Sequence, residues 1–187
     1  PERLKDVAIW GTVQDGRRVP RGPTFTTFSL HATKLLPAVE GGVIVADDPA
    51  VHAELRRLRS HGLVLNDLAS SREGYNARMD ELRAAVGLHS LRRLDAVIAR
   101  RRSYAARLRE TIQTELADRV VPQREPAGVT TNGQNFGVRF VGAESKGIER
   151  AIAAMRTQGV EGRRYFYPAL HELTQFGGRF ALPVTER

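Results

Sequence analysis

The 187-residue chain contains no cysteine, which excludes disulfides, thiolate nucleophiles and cysteine-ligated metals. It has no apolar run long enough to span a bilayer, and its first residues, Pro1 to Asp6, are charged rather than signal-like. The five histidines lack the close spacing of metal ligands. We therefore expect a soluble, cytoplasmic protein without a metal or a membrane partner.

Lysine is also scarce, because Lys5, Lys34 and Lys146 are the only lysines among 29 basic residues. The net charge of +8 thus comes from arginines, most of which alternate with Glu, Asp and Ala as on a solvated helix face. This distribution predicts no nucleic-acid partner. A denser cluster keeps nucleic-acid binding open as an alternative, namely Arg92, Arg93, Arg100, Arg101, Arg102, Arg107 and Arg109.

The hydrophobic content of 41% suits one ordinary core with an appendage. Two β-branched or apolar runs, TFTTFSL (24–30) and GGVIVAD (41–47), predict strands. Between them, HATKLLPAVE reads as a loop that carries the lone Lys34. Loops at strand ends often carry chemistry, so this lysine is a candidate functional residue.

Two helices are predicted next. Asp48 and Pro49 begin the first, which His61-Gly62 closes. A second helical period runs from residue 79 to about 116, as one bent helix or as two that meet at Gly87 or Asp95.

Beyond a linker-like stretch at 122–133, the pattern changes character. FGVRFVG (136–142) predicts a strand, Ser145 is expected to cap a helix, and a return segment begins at Gly159. The strand, helix, strand order predicts a small α/β lobe.

Several separated blocks resemble the DegT/DnrJ/EryC1/StrS family of nucleotide-sugar aminotransferases. They are FSLHATKLLPAVEGGVIVADD, LRRLRSHG and GYNARMDELRAAVGLHSLRRLDAVIARRR, with GRRVPRG before them and YFYPALHEL near the end. The resemblance implies an α/β fold of the type I pyridoxal-phosphate aminotransferases and a homodimer.

Against that family fold, residues 1–90 correspond to the later part of the large cofactor-binding domain. Residues 91–187 correspond to the long helix and an incomplete small C-terminal domain. Family members are longer and carry a phosphate-binding turn and a ring-stacking aromatic residue before the first block. We therefore expect a partial chain that is a poor enzyme by itself.

The resemblance assigns Lys34 as the catalytic residue that holds pyridoxal 5'-phosphate as a Schiff base. A lysine at the mouth of a sheet can supply the primary amine that this link needs, and can also move protons. On the residues alone, an ordinary exposed lysine is the competing interpretation. A related branch that removes a sugar hydroxyl has histidine at this place, so Lys34 favours transamination.

Three further residues match cofactor ligands of the family. Ser29 matches a serine that binds the cofactor phosphate, or is a strand-end serine bonded to its own backbone. Asn76 matches an asparagine that reaches the phosphate of the neighbouring subunit, or belongs to a helix N-cap region. Asp6 would pair with the pyridine nitrogen. Ile9 stands where the family has a polar residue beside the ring.

Five residues match substrate contacts. His31 either touches substrate or fixes the loop. Arg164, Tyr167 and His171, with Arg163, match a region beside the nucleotide sugar, where arginine suits a diphosphate and tyrosine a sugar or base edge. An aromatic patch that closes the small domain is the competing interpretation.

The resemblance implies transfer of an amino group, with glutamate as donor, to a keto-deoxysugar linked to a nucleotide. The alternative is a degenerate, non-catalytic family member that serves as a dimer or regulatory partner. The apolar Ile9 in place of the family's polar residue favours this alternative. The shared motifs do not specify the sugar, the carbon or the nucleotide.

Overall fold

The computed structural model describes residues 12–18, 25–63, 73–165, 167–177 and 181–183. The chain divides into two compact units. The first comprises Pro1–Ala117 and Pro122–Val138, and the second comprises Asp118–Val121 and Arg139–Arg187. The long helix belongs wholly to the first unit, and the family's division near residue 90 stays a prediction.

The two predicted strands of the first unit form an antiparallel hairpin. Strand β3 is Phe25–Ser29 and strand β4 is Gly42–Ala46, with Phe25 opposite Ala46 and Ser29 opposite Gly42. Alternate residues of β3 are exposed and half-buried, as the period of two in a strand requires. The hairpin places the segment with Lys34 in its connection, as predicted.

Helix α1 follows the hairpin and spans Pro49–Leu58. The Asp48 carboxylate accepts a hydrogen bond from the Ala50 N–H at 2.7 Å. Pro49 occupies the first turn, where a backbone N–H would have no partner within the helix, so the missing N–H of proline costs nothing. The predicted start of this helix is confirmed.

Helix α2 is one continuous helix, Glu81–Glu115, begun by the Asp80 side chain, which accepts the Arg83 N–H at 2.8 Å. It has no break at Gly87 or Asp95, so the two-helix alternative was wrong. A Cβ at Gly87 would lie 3.3 Å from the Ala38 Cβ, so this glycine lets the helix approach the hairpin connection. Leu94 and Ile98 of α2 share one core cluster with residues of that connection, namely Leu30, Leu35, Leu36 and Ala38.

A small sheet in the same unit consists of the strands β1 (Val13–Gln14), β2 (Arg17–Arg18) and β6 (Val129–Thr130). Their order in the sheet is β2-β1-β6, although the sequence predicted a linker where β6 lies. We call residues 123–136 the strap. Arg101 and Arg102 of α2 donate to strap carbonyls of Gln134 and Thr131, at 3.1 and 2.7 Å.

Strand β5 (Val120–Pro122) pairs with β7 (Val138–Phe140), the predicted strand near residue 140. Helix α3 of the second unit spans Ser145–Thr157. Its N-cap is Glu144, without a side-chain hydrogen bond, so the predicted cap by Ser145 was wrong by one residue.

The prediction of a return strand after Gly159 was also wrong for the described residues. That stretch is irregular up to a 3-10 turn at Leu170–Glu172. Among the described helices, none combines the length and the apolar content that a membrane span requires.

Candidate functional site

The connection of the β3–β4 hairpin, residues 30–41, is here called the lysine loop. It is closed at its base by the Leu30 N–H, which donates to the Gly41 carbonyl at 2.9 Å. The Ala38 N–H returns to the Leu30 carbonyl at 2.8 Å. Leu30, Leu35, Leu36 and Ala38 are all buried, so the loop is held in the core on both sides of its lysine.

Lys34 is half-buried and is followed directly by buried Leu35. Its backbone N–H donates to the His31 carbonyl at 2.9 Å, which makes a tight turn over residues 31–34. Within the described ranges, no carboxylate lies within 4.0 Å of its amine. The amine is therefore presented on a fixed turn without a neutralising partner there.

His31 bridges the two arms of the lysine loop. Its Nδ1 accepts the Thr33 N–H at 3.1 Å and lies 2.9 Å from the Thr33 Oγ1. Its Nε2 lies 3.4 Å from Glu40 Oε1. Of the two roles considered for His31, the structure shows the loop-fixing one, and a substrate contact stays a prediction.

Ser29 ends strand β3, and its Oγ accepts the His31 N–H at 3.3 Å. This is the strand-end role considered for it. A hydroxyl that accepts one bond still has its own hydrogen to donate, so Ser29 remains able to bind a phosphate oxygen.

Asn76 lies in an extended segment that is bridged to Ser60 just after helix α1. Backbone bonds fix it on both sides: His61 N–H to Tyr75 O and Ala77 N–H to Arg59 O, each 2.9 Å. The residue is exposed, and the cap of the next helix is Asp80, so the helix-cap interpretation was wrong. Its exposure leaves the side-chain amide accessible to another subunit.

The Asn76 segment meets the end of the lysine loop through Met79. A Cβ added at Gly41 would lie only 2.6 Å from the Met79 methyl carbon. Met79 also packs against the core cluster to which the lysine loop contributes. The structure thus brings Ser29, His31 and Lys34 into one hydrogen-bonded loop, with the Asn76 segment beside it. Asp6 and Ile9 lie outside the described residues.

In the second unit, Arg164 and Tyr167 come together. The guanidinium carbon of Arg164 lies 3.5 Å from the centre of the Tyr167 ring, and its Nη2 donates to the Ser145 Oγ at 3.3 Å. Its Nη1 is 4.0 Å from Glu149 Oε1. His171 is buried in the 3-10 turn, whereas Tyr167 is exposed.

Sequence reasoning missed Thr33, Glu40 and Ser145 as partners of the predicted residues. Thr33 could have been found, because a polar residue two positions from a loop histidine can bond it locally. Ser145 was taken for a helix cap, and nothing in the sequence indicates its contact with Arg164, which is 19 residues away.

The groups present fit the chemistry of pyridoxal phosphate. They comprise a primary amine without a carboxylate beside it in the described ranges, a hydroxyl with a free hydrogen, and an exposed amide. An aldehyde requires the first, and phosphate oxygens accept from the other two. In the same ranges, no group of three acidic or histidine side chains could hold a metal ion.

The model of the DegT/DnrJ/EryC1/StrS aminotransferase family matches residues 5–187. Protein MT3510 of Mycobacterium tuberculosis (strain CDC 1551 / Oshkosh) is 30% identical, over 94% of this chain and 41% of that protein. The crystal structure of DesI in the presence of its TDP-sugar product is 33% identical, with a TM-score of 0.75 over 95% of this chain and 45% of that one.

The aminotransferase TlmJ of Streptoalloteichus hindustanus is 25% identical and has a TM-score of 0.77, over 94% of this chain and 47% of that one. The chain therefore spans less than half the length of these relatives. Since the family model covers nearly the whole chain, this protein belongs to the DegT/DnrJ/EryC1/StrS aminotransferase family.

Proposed function

We propose that this chain is part of a pyridoxal-phosphate-dependent aminotransferase that acts on a nucleotide-linked keto-deoxysugar. The observation that supports it most is the placement of Lys34. Its amine stands on a turn that the core fixes on both sides, and no carboxylate is paired with it in the described ranges. Such an amine is suited to nucleophilic and proton-transfer chemistry.

In this proposal, Lys34 would hold the cofactor through its Nζ, which supplies the primary amine that the cofactor aldehyde requires. Ser29 donates its hydroxyl hydrogen to the phosphate. When bound, the cofactor supplies an electron sink for the carbon that loses its proton. Once the amine of the donor has displaced it from the cofactor, the freed Lys34 amine would take that proton and return it to the adjacent position, as general base and acid.

Asn76 and Asp6 complete the proposed cofactor contacts. The exposed Asn76 amide would donate to the phosphate in the neighbouring subunit of a homodimer, and Asp6 would pair with the ring nitrogen. Asp6 lies outside the described residues, so its role rests on the family resemblance.

The Arg164–Tyr167 pair supports a nucleotide-sugar substrate. A guanidinium stacked on an aromatic ring offers donors for a diphosphate beside a flat apolar face. The TDP-sugar product of DesI is of this chemical kind. We further propose glutamate as the amino-group donor, and His171 and His31 as additional substrate contacts, as the family resemblance implies.

Mapping the modified lysine tests this proposal. The full-length gene product is incubated with pyridoxal phosphate, reduced with borohydride, digested and analysed by mass spectrometry. We expect the cofactor mass on Lys34, its loss in Lys34→Arg, which keeps the charge but not the primary amine, and its retention in Lys146→Arg. Lys146 is the matched control because it is an exposed lysine on helix α3.

L-Glutamate added to the unreduced wild-type protein should then release about one 2-oxoglutarate per cofactor, since transamination moves one amino group at a time. Absence of label, or label spread over Lys34 and Lys146, would contradict the proposal. Either result would favour the non-catalytic alternative.

A further inference from the structure

His31 touches three parts of the lysine loop at once. Its carbonyl accepts the Lys34 N–H at 2.9 Å, its Nδ1 accepts the Thr33 N–H at 3.1 Å, and its Nε2 lies 3.4 Å from Glu40 Oε1. Because a backbone N–H can only donate, Nδ1 carries no hydrogen in this arrangement. In the neutral ring the hydrogen is therefore on Nε2, facing the Glu40 carboxylate.

The backbone before Glu40 adopts an unusual turn. Val39 has φ 67°, and the Glu40 N–H donates to the Ala38 carbonyl at 2.8 Å, two residues back. A β-branched residue disfavours this left-handed region, so the surrounding structure must hold it there. Ala38, fully buried, is fixed on one side of the turn, and the His31 ring faces Glu40 on the other.

Core residues thus hold the loop at Leu30 and from Leu35 to Ala38, and one imidazole ring connects the two more exposed stretches, 31–34 and 39–40. The side chains of His31 and Glu40 are 46% and 60% exposed, so their contact adds little to global stability. A brace that is nearly neutral for stability can still fix the turn over 31–34, which carries the amine.

We propose that His31 is a positioning residue for Lys34, acting through Thr33 and Glu40, in addition to its proposed contact with substrate. This inference rests on the proposed role of Lys34. The ring holds the turn so that the amine faces one direction, and small displacements of a reacting group slow reactions steeply.

The test measures the rate at which pyridoxal phosphate becomes attached to Lys34 in the full-length gene product. Attachment is followed by absorbance and mapped by mass spectrometry after borohydride reduction. No sugar is present, so a residue that acts only on the sugar cannot change this rate.

We expect His31→Ala and Glu40→Ala to slow attachment by about 10-fold, the equivalent of one lost hydrogen bond. His31→Asn should be no slower than Glu40→Ala, because the Asn carbonyl oxygen can accept the Thr33 N–H as Nδ1 does, while the shorter side chain leaves the Glu40 contact unmade. Glu40→Gln should recover most of the rate, by keeping an acceptor before Nε2. His52→Asn, an exposed histidine on helix α1, is the matched control.

Unchanged attachment in His31→Ala and Glu40→Ala, with normal attachment in the wild type, would overturn this inference alone. A fall in the melting temperature that parallels the rate across the variants would also overturn it, since the residues would then act on folding. Failure of the wild type to label Lys34 would instead remove the proposed function itself.

Discussion

Gly74 lies where its backbone passes close to that of His61 and Gly62. A Cβ at this position would overlap the backbone of His61 and Gly62, and backbone atoms cannot move aside as the end of a side chain can. The Asn76 segment follows two residues later and is bridged to Ser60. A glycine at position 74 is therefore a condition for presenting Asn76.

We expect Gly74→Ala to lower the free energy of unfolding by about 2–3 kcal/mol, because the bridge to Ser60 must open or shift. Urea denaturation of the full-length gene product measures this. Gly147→Ala is the control: its Cβ would meet only the Ala143 Cβ at 4.0 Å, and alanine favours a helix, so a gain of about 0.5 kcal/mol is expected. Equal effects of the two substitutions would show that the close approach at Gly74 is not tight.

Residue types predicted part of the site. Lys34 on a loop between two strands followed from the pattern, and the resemblance added Ser29 and Asn76. The contact of His31 with Glu40 could not be predicted, since it depends on the turn at Val39. Valine is a residue type that this backbone conformation disfavours, so tertiary packing, not local preference, sets it.

Several arginines of helix α2 form hydrogen bonds within the chain. Arg100 donates to the Tyr104 hydroxyl at 2.9 Å, and Arg109 donates to the Gln123 carbonyl at 3.4 Å and lies over the Phe136 ring. With Arg101 and Arg102, four members of the basic cluster are engaged in intramolecular contacts. These bonds leave further guanidinium donors on the exposed Arg100 and Arg101, so the nucleic-acid alternative stays a prediction.

The bond from Arg102 to the Thr131 carbonyl, at 2.7 Å, should hold the strap on α2. Loss of a charged, part-buried hydrogen bond costs about 1.5–3 kcal/mol. We therefore expect Arg102→Ala to speed amide hydrogen exchange in residues 129–136 by about 10-fold or more.

Arg107→Ala on the same helix is the control for that measurement. Arg107 is exposed and makes no hydrogen bond, ion pair or ring contact in the described ranges. If both variants exchange alike, the strap is held by its β6 pairing with β1 rather than by Arg102.

Elements were predicted well where neighbouring residues in the sequence determine them. Asp48 and Pro49 placed the start of α1, and the alternating run at 25–29 placed β3. The predictions failed where partners are remote. Strand β6 pairs with β1, so that Val13 lies opposite Thr130, and a two-residue strand within a polar stretch carries no pattern of its own.

At the scale of the whole molecule, the proposal requires two chains, because the exposed Asn76 serves the neighbouring site. Lys34→Ala and Asn76→Ala variants of the full-length gene product can be mixed to test this. A mixed dimer has one site with both residues intact, built from Lys34 of one subunit and Asn76 of the other.

At limiting pyridoxal phosphate, we expect the mixture to bind more cofactor covalently than the Asn76→Ala variant alone. Random exchange between two-fold dimers should restore about a quarter of the wild-type sites. No gain on mixing, with exchange verified by a tag on one variant, would place both residues in the same subunit's site.

The unbroken course of α2 has a mechanical consequence. Gly87 contacts the lysine loop near one end of this helix, and Arg101 and Arg102 hold the strap about 20 Å further along the rod, at about 1.5 Å per residue. Because α2 has no break between these contacts, the lysine loop and the strap pack against one continuous helix. We therefore expect a change that steadies the loop to reduce motion of the strap as well.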